Sequence, residues 1–330
     1  EPSQPGAREL IDPFGRRIEY LRLSVTDRCD LRCHYCMPED FRDFEEPDHW
    51  LTFEEIERLA GAFTDLGVSR IRLTGGEPLT RKGLPDLAAR LGALPGLDDL
   101  SMTTNATNLA RHAESLRAAG MRRINVSLDT LDPERFRRIT RHGRLERVLE
   151  GLDAAAAAGF DFIKINMVVE PDNRDEVGDM VDYCLERGFT LRFIETMPMG
   201  DTGRSGEVVP LTEIKAEIEE RFDTEPAVMP GGGPADYLHV KGTGLRIGFI
   251  TPISRHFCGN CNRVRLSVDG TLFLCLGQDN QLSFRDMLRD GADRAELQDA
   301  IREAITLKPE SHEFVEQPGK VMRFMNMTGG

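Results

Sequence analysis

Six of the seven cysteines fall into two triplets, one near each end of the chain. The triplets are Cys29, Cys33 and Cys36, and Cys258, Cys261 and Cys275. An odd cysteine count in a long chain argues against a disulfide framework and favours thiolate ligands in a reducing compartment. Structural zinc sites close with four ligands, whereas three thiolates suit a four-iron cluster that leaves one iron open. We therefore expect two [4Fe–4S] clusters, with zinc as the alternative at either triplet.

The elements that position the first triplet are six strand-like runs, which alternate with helical stretches between residues 20 and 196. The predicted strands are Tyr20–Val25, Ser69–Thr74, Asp99–Thr104, Arg123–Leu128, Ile163–Val169 and Leu191–Glu195. The predicted helix Thr52–Leu66 begins with a threonine followed three residues later by Glu55, which is typical of a capping box. Alternation of this kind predicts a parallel sheet with right-handed crossovers. The seventh cysteine, Cys184, is expected to be a packed helix residue.

The predicted strands are polar at every second residue, although parallel strands covered on both faces are nearly all apolar. Period two places these polar residues on one face of the sheet. They are Arg22, Ser24, Arg72, Thr74, Ser101, Thr103, Asn125, Ser127, Asp129, Lys164 and Asn166. A sheet curved around a polar cavity explains this pattern, and its site would lie at the C-terminal strand ends. The expected fold class is therefore α/β, an incomplete (β/α)6 TIM-like barrel over residues 14–200.

The pattern changes in residues 201–330, which we expect to form an α+β region around the second cysteine triplet. A helix near Leu211–Phe222 and strands near Tyr237–Val240 and Leu245–Ile250 precede the triplet. Two further strands flank Asp269-Gly270, a dipeptide that favours a tight hairpin turn. This hairpin would bring Cys275 close to the other two cysteines. Residues 1–13 are expected to be a flexible N-terminal extension.

The composition excludes several classes of protein. Lys plus Arg is 42 and Asp plus Glu is 56, which gives a net charge of −14. Such a chain is a poor candidate for nucleic-acid binding, because bulk negative charge repels phosphate. No apolar run approaches the roughly 20 residues of a membrane span, and the N-terminus has no signal-peptide character. We therefore expect a cytoplasmic protein with no membrane partner.

The first triplet has the spacing C-x3-C-x2-C with Tyr35 before the last cysteine, and Gly75-Gly76-Glu77-Pro78 follows the second predicted strand. These two motifs together resemble the radical S-adenosylmethionine (SAM) superfamily. Three further features narrow the resemblance. They are the spacing C-x2-C-x13-C of the second triplet, the run Asn262-Arg263-Val264-Arg265 and the terminal Gly329-Gly330. They resemble the GTP 3′,8-cyclase family of molybdenum cofactor biosynthesis.

This resemblance implies two [4Fe–4S] clusters and SAM as cofactors. The open iron of the first cluster would chelate SAM, and one electron would release a 5′-deoxyadenosyl radical. The family's pattern assigns SAM contacts to Tyr35, Gly76, Ser127 and Met197. Gly75 and Gly76 lack side chains, so we expect their backbone to approach the ligand closely. No catalytic residue can be assigned from the pattern.

The substrate implied is GTP, yet the chain contains no Walker A sequence to bind its phosphates. Positive side chains must then do so. Arg263 and Arg265 are two residues apart in a strand-like run, project from one face, and can each make bidentate contacts to phosphate. The expected GTP site consists of Arg22, Arg72, Thr103, Lys164, Arg263, Val264 and Arg265.

On the family's mechanism, the adenosyl radical abstracts the ribose C3′ hydrogen and the C3′ radical attacks C8 of guanine. The product is (8S)-3′,8-cyclo-7,8-dihydroguanosine 5′-triphosphate. Cyclic pyranopterin monophosphate synthase (MoaC) would consume this product, and a reductant would supply the electrons. A homodimer is also expected. The resemblance further implies that Gly329 and Gly330 enter the active site, whereas a frayed tail is the alternative.

Two other functions fit part of the sequence. A peptide-modifying radical SAM maturase would usually carry more C-terminal cysteines than three, and the chain has no evident peptide-binding domain. A non-catalytic iron–sulfur electron carrier or redox sensor would need neither the Gly-Gly-Glu-Pro motif nor a polar-lined barrel.

Overall fold

The computed structural model describes residues 9–199, 208–229, 233–255, 257–314 and 323–328. Within these residues, twelve strands form one sheet. The strands are β1 (Tyr20–Ser24), β2 (Arg70–Thr74), β3 (Asp99–Thr104), β4 (Arg123–Ser127), β5 (Phe162–Val169), β6 (Thr190–Glu195), β7 (Thr224–Ala227), β8 (Asp236–Val240), β9 (Arg246–Ile250), β10 (Arg263–Leu266), β11 (Thr271–Phe273) and β12 (Gln281–Ser283). The helices are α1 (Phe53–Asp65), α2 (Leu84–Gly92), α3 (Ala113–Ala118), α4 (Pro133–Thr140), α5 (Leu145–Ala157), α6 (Val177–Arg187), α7 (Leu211–Arg221), α8 (Arg285–Arg289), α9 (Arg294–Ile305) and α10 (Met325–Thr328).

The order of strands in the sheet is β12-β11-β10-β1-β2-β3-β4-β5-β6-β9-β8-β7. Strands β1 to β6 are parallel, as the sequence predicts for a barrel of six strand–helix units. The C-terminal region extends this run at both edges, because β10 pairs parallel with β1 and β9 pairs parallel with β6. The two predicted parts of the chain therefore share one continuous sheet.

The outward face of the sheet and the helices that cover it form the hydrophobic core. Helix α1 shows the local cause, since its apolar residues recur at helical spacing and Ile56, Leu59 and Phe63 are buried. Its N-terminus is the predicted capping box, in which Thr52 and Glu55 each accept a hydrogen bond from the other's backbone N–H. Truncating a fully buried side chain such as Phe63 to alanine would cost roughly 3–5 kcal/mol of stability.

The inward face of the sheet is polar, as the period-two pattern predicts. Arg22 on β1 is aligned with Arg72 on β2 and with Arg265 on β10. Further round the sheet, Lys164 on β5 is aligned with Asn125 on β4. Register therefore gathers side chains from distant parts of the sequence inside one curved sheet.

The predicted hairpin around Asp269-Gly270 is present, with shorter strands than expected. Arg265 of β10 is paired with Phe273 of β11, and the Ser267 N–H donates to the Thr271 carbonyl at 2.9 Å. Gly270 has φ +87°, a left-handed conformation that glycine adopts without steric cost. The sequence analysis missed two short strands, β7 and β12.

The N-terminal segment differs from the expected flexible extension over residues 9–13. Leu10 is buried in the main core, and Asp12 accepts a hydrogen bond from the Arg16 Nε at 2.5 Å. Residues 1–8 lie outside the described residues. In the described part of the chain, no helix is long and apolar enough to span a membrane.

Candidate active site

One large cavity opens inside the curved sheet at the C-terminal ends of its strands. The space that protein atoms leave between its walls is about 1580 Å³, the open mouth included. The first cysteine triplet lines one part of it, and arginines from β1, β2, β6 and β10 line another. One continuous cavity is therefore lined by thiols in one part and by guanidinium groups in another.

The first triplet lies on the loop that follows β1, and this loop packs directly on the Gly-Gly-Glu-Pro motif. The Gly76 N–H donates to the Thr26 carbonyl at 2.9 Å, and the Glu77 N–H donates to the Arg28 carbonyl at 2.8 Å. A Cβ at Gly75 would overlap the Thr26 carbonyl oxygen, and one at Gly76 would overlap that of Arg28. Gly75 and Gly76 line the cavity, but their lack of side chains is required by the cysteine loop.

Glu77, the third residue of the Gly-Gly-Glu-Pro motif, stabilises the backbone beside the cysteine loop. Its buried carboxylate accepts hydrogen bonds from the Thr104 hydroxyl at 2.7 Å, the Asn105 N–H at 2.6 Å and the Leu79 N–H at 3.1 Å. Burial raises its pKa to about 7, although these hydrogen bonds favour the charged form. Glu77 thus ties the end of β2 to the end of β3 and serves as a structural brace.

The cysteines of the first triplet are half-buried free thiols. Burial raises the pKa of Cys36 to about 11 and also raises the pKa values of Cys29 and Cys33. Metal binding must therefore release protons here. Among the described residues, no three His, Cys, Asp or Glu side chains converge as ligands of a single metal ion. Three soft thiols on one loop fit a four-iron cluster with one open iron.

The four residues that the resemblance assigns to SAM all line the cavity that the cysteine loop lines. Tyr35 is the best anchored of them, since its hydroxyl donates to the Asp129 carboxylate at 2.6 Å. Asp129 also accepts from the Val168 N–H at 2.8 Å, and burial raises its pKa to about 6. Gly76, Ser127 and Met197 complete the set. The loop, β4 and β5 are thereby linked around one space.

The second triplet is held by two cations from distant parts of the chain. Arg16 donates to the Cys258 carbonyl at 2.8 Å, and Lys308 donates to the Leu274 carbonyl at 2.5 Å. Burial raises the pKa of Cys261, but Lys308 and Arg263 outweigh burial and lower it overall. These nearby positive charges favour a thiolate, the form that binds iron. Arg16 and Lys308 were not predicted, because neither is near the triplet in sequence.

The predicted phosphate-binding residues divide into three groups. Five line the cavity directly, namely Arg22, Arg72, Thr103, Arg263 and Arg265. Lys164 faces inward but lies outside that lining, with its Nζ 5.7 Å from the centre of the Tyr237 ring. Val264 does not join them, because alternation along β10 turns its side chain into the hydrophobic core.

Four of the cavity-lining arginines form one positively charged surface, which we call the arginine wall. Its members are Arg22, Arg72, Arg263 and Arg265. Burial, reinforced by Arg265, lowers the pKa of Arg22 well below its usual value. Burial and the neighbouring Arg263 lower the pKa of Arg265 to about 10. Like charges held together out of water raise the energy of the ligand-free protein, so a bound polyanion would relieve that repulsion.

Arg192 on β6 is a cavity residue that the sequence analysis missed. It donates to the Asn125 side-chain oxygen at 2.5 Å and to the Asn166 side-chain oxygen at 2.8 Å. The signal was available, because Arg192 follows the same alternation as the polar residues of the other strands.

The described C-terminal residues 323–328 pack against the mouth of the cavity. Met325 lines it, the Asn326 side chain donates to the Asp27 carbonyl at 3.0 Å, and Arg265 donates to the Thr328 carbonyl at 3.4 Å. Gly329 and Gly330, which the sequence predicts to enter the site, lie outside the described residues.

Two family models match the chain, the radical SAM superfamily over residues 23–184 and Molybdenum Cofactor Synthesis C over residues 189–314. GTP 3′,8-cyclase of Ectopseudomonas mendocina is 51% identical, covering 98% of this chain and 99% of its own length. GTP 3′,8-cyclase 2 of Pseudomonas aeruginosa is 50% identical, with coverage of 97% and 98%. The Rhizobium etli enzyme of the same name is 49% identical, with coverage of 100% and 97%.

Solved structures resemble the chain more distantly. Streptococcus suis SuiB bound to S-adenosylmethionine matches 93% of this chain and 76% of its own with a TM-score of 0.62 and 15% identity. SuiB bound to its precursor peptide SuiA matches with a TM-score of 0.63 and 16% identity, covering 93% of this chain and 75% of its own. At this identity the likeness concerns the fold alone.

The family match over residues 23–184 identifies the parallel partial barrel and its cysteine loop as those of a radical SAM enzyme. Within that superfamily, the chain belongs to the GTP 3′,8-cyclase family.

Proposed function

We propose that this enzyme converts GTP to (8S)-3′,8-cyclo-7,8-dihydroguanosine 5′-triphosphate, the first step of molybdenum cofactor biosynthesis. The observation that carries the proposal is the two-part cavity, in which a loop of three thiols shares one space with Arg22, Arg72, Arg263 and Arg265. An electron carrier would need only the thiols. The arginines call for a polyanionic substrate, and the family membership points to GTP.

Cys29, Cys33 and Cys36 would hold one [4Fe–4S] cluster, and Cys258, Cys261 and Cys275 would hold a second. With SAM bound, a cluster held there would supply the one electron that cleaves SAM into methionine and a 5′-deoxyadenosyl radical. Tyr35, Gly76, Ser127 and Met197 would position SAM, each from the wall of the same cavity. Apolar neighbours such as Ile194 and Met197 would limit the access of water to the reacting groups.

The arginine wall would bind the triphosphate inside the cavity that the first cysteine triplet also lines. Arginine suits this role because its planar guanidinium donates two parallel hydrogen bonds to phosphate oxygens. Arg192, held by Asn125 and Asn166, and Arg265, which contacts the tail, have their positions set before substrate arrives. Such preorganisation lowers the entropic cost of binding.

The proposal also includes partners. An external reductant must supply electrons, and cyclic pyranopterin monophosphate synthase would consume the product. Seven free cysteines fit a reducing compartment such as the cytoplasm. The homodimer and the entry of Gly329 and Gly330 into the site stay predictions.

The deciding experiment is an anaerobic assay of the iron–sulfur-reconstituted protein with SAM and dithionite, with or without GTP. We expect GTP-dependent formation of 5′-deoxyadenosine together with a cyclised GTP product. SAM cleavage that is indifferent to GTP would contradict the proposed substrate and revive the peptide-modifying alternative. No cleavage by protein with full iron content would contradict the enzyme assignment as a whole.

A further inference from the structure

Tyr20 opens β1, and the proposed site leaves it without a role. Its side chain lines the cavity, and the residue is only 2% exposed. Its hydroxyl oxygen is buried and has no hydrogen-bond partner among the described residues. Buried tyrosine hydroxyls usually find a partner, so this one is free to donate to a ligand in the cavity.

Arginines surround the Tyr20 ring. The guanidinium of Arg72 lies 5.3 Å from the ring centre and that of Arg263 lies 5.9 Å from it, both within cation–π range. In register, Tyr20 is aligned with Arg263 on β10 and with Arg70 on β2. Burial raises the pKa of the phenol, but Arg72, Arg22 and Arg263 outweigh burial and lower it overall. The Tyr20 ring is therefore in contact range of two guanidinium groups of the arginine wall.

The position of Tyr20 along β1 indicates which ligand its hydroxyl would meet. Four strand steps separate Tyr20 from Ser24, a distance of roughly 13 Å, and the cysteine loop begins beyond Ser24. SAM, held at that loop, would lie at the far end of the cavity. At the end of the cavity that Tyr20 lines, its hydroxyl is a neutral hydrogen-bond donor among several cations. Such a group fits a ligand rich in anionic oxygen acceptors.

We propose that Tyr20 donates a hydrogen bond to a phosphate oxygen of the substrate and that its ring holds Arg72 and Arg263 in place for the same triphosphate. This inference rests on the proposed function and adds a residue to its substrate site. Tyr20 is thus a binding residue through its hydroxyl and a positioning residue through its ring.

The test uses the reconstituted enzyme and three ligands, inorganic tripolyphosphate, GTP and guanosine, each titrated by calorimetry under anaerobic conditions. Tyr20→Phe keeps the ring and removes the hydroxyl. We expect it to weaken tripolyphosphate and GTP binding by about tenfold to a hundredfold, as for a lost hydrogen bond to a charged group. Guanosine binding should not change, and the KM for GTP should rise while kcat stays near its original value.

Two further variants distinguish the effect of losing the hydroxyl from the effect of losing the ring and from a general effect on the fold. Tyr20→Leu removes both features and should weaken tripolyphosphate binding more than Tyr20→Phe does. Tyr183→Phe makes the same chemical change on α6, beside Phe189 and outside the cavity lining, and should leave all three affinities unchanged.

Unchanged tripolyphosphate affinity in Tyr20→Phe would overturn the hydrogen bond, and equal losses for guanosine and tripolyphosphate would overturn a phosphate-specific role. Failure of the proposed function looks different. In that case the unmodified enzyme would bind neither GTP nor tripolyphosphate, and Arg263→Ala would change nothing.

Discussion

The carbonyl oxygen of Thr26 occupies the place where residue 75 would carry its Cβ if Gly75 were any other amino acid. The same relationship recurs one residue later, between Gly76 and Arg28. The cysteine loop and the Gly-Gly-Glu-Pro motif are therefore one interlocked unit. Chemistry assigned to the glycines must be separated from this packing role.

Gly76→Ala is expected to displace the cysteine loop and to lower the iron bound at the first triplet. The cause is steric, because the new methyl group would overlap the Arg28 backbone, which cannot move without moving Cys29. Iron content and absorbance near 400 nm after reconstitution measure the effect, with loss of about one four-iron cluster per chain. Gly244→Ala adds the same methyl group in open space and should retain all its iron. Full iron content in Gly76→Ala would contradict the packing argument.

Cys258→Ala is expected to halve the bound iron, from about eight to about four atoms per chain, because each triplet would hold a four-iron cluster. Cys184→Ala is the matched control, since this cysteine is buried in α6 and belongs to neither triplet. It should keep its iron while losing some thermal stability. A zinc site at the second triplet would instead show zinc by elemental analysis and about four irons in the unmodified protein.

Arg263→Ala and Arg265→Ala are each expected to weaken GTP binding by about tenfold to a hundredfold, because each removes charge-assisted contacts to phosphate. Binding measured by calorimetry should show the loss for tripolyphosphate as well. Arg122→Ala removes an arginine of the same charge from an exposed ion pair with Asp161 and should have no effect. If all three variants bind GTP alike, the phosphate site lies elsewhere.

Lys164→Met is expected to abolish an uptake of protons that accompanies tripolyphosphate binding. Burial, with Arg192 and Arg123 nearby, lowers the pKa of Lys164 to about 6, so its amine is neutral at pH 8. A bound polyanion would raise that pKa, and the protein should take up nearly one proton. Calorimetry in buffers of different ionisation enthalpy reports this number. Equal buffer dependence in both proteins would contradict the assignment, and Lys241→Met, an exposed lysine paired with Asp223, serves as the control.

The lowered pKa of Lys164 also makes the free energy of unfolding depend on pH. Between about pH 6 and pH 10, unfolded Lys164 binds a proton that folded Lys164 does not. Stability should therefore rise with pH through this window in the unmodified protein, and the slope should be smaller in Lys164→Met. Chemical unfolding of the ligand-free protein at several pH values measures both slopes.

The sequence was most informative where chemistry depends on local spacing. The cysteine triplets, the alternation of polar residues and the turn at Gly270 follow from neighbours along the chain. Arg192 obeyed the same alternation and could have been found. Val264 was included with its neighbours Arg263 and Arg265, although period two already places it on the opposite face.

Other contacts could not have been predicted, because they join residues far apart in sequence. Arg16 reaches the Cys258 carbonyl and Lys308 reaches the Leu274 carbonyl. No local pattern marks either residue, since Arg16 precedes β1 and Lys308 follows α9, and only the complete fold brings them to the second triplet. At the two edges of the barrel, β10 pairs parallel with β1 and β9 pairs parallel with β6. These pairings likewise depend on the whole sheet and not on any local pattern.

That edge pairing determines when the protein can finish folding. Arg22 and Arg265 are aligned in neighbouring strands although more than 240 residues separate them, so the sheet has a high contact order and should fold slowly. During synthesis, β1 and β6 are unpaired edge strands until β9 and β10 leave the ribosome. Unpaired edge strands promote aggregation. A nascent chain that ends near residue 200 would already carry the first cysteine triplet while β1 and β6 still lack their outer partner strands.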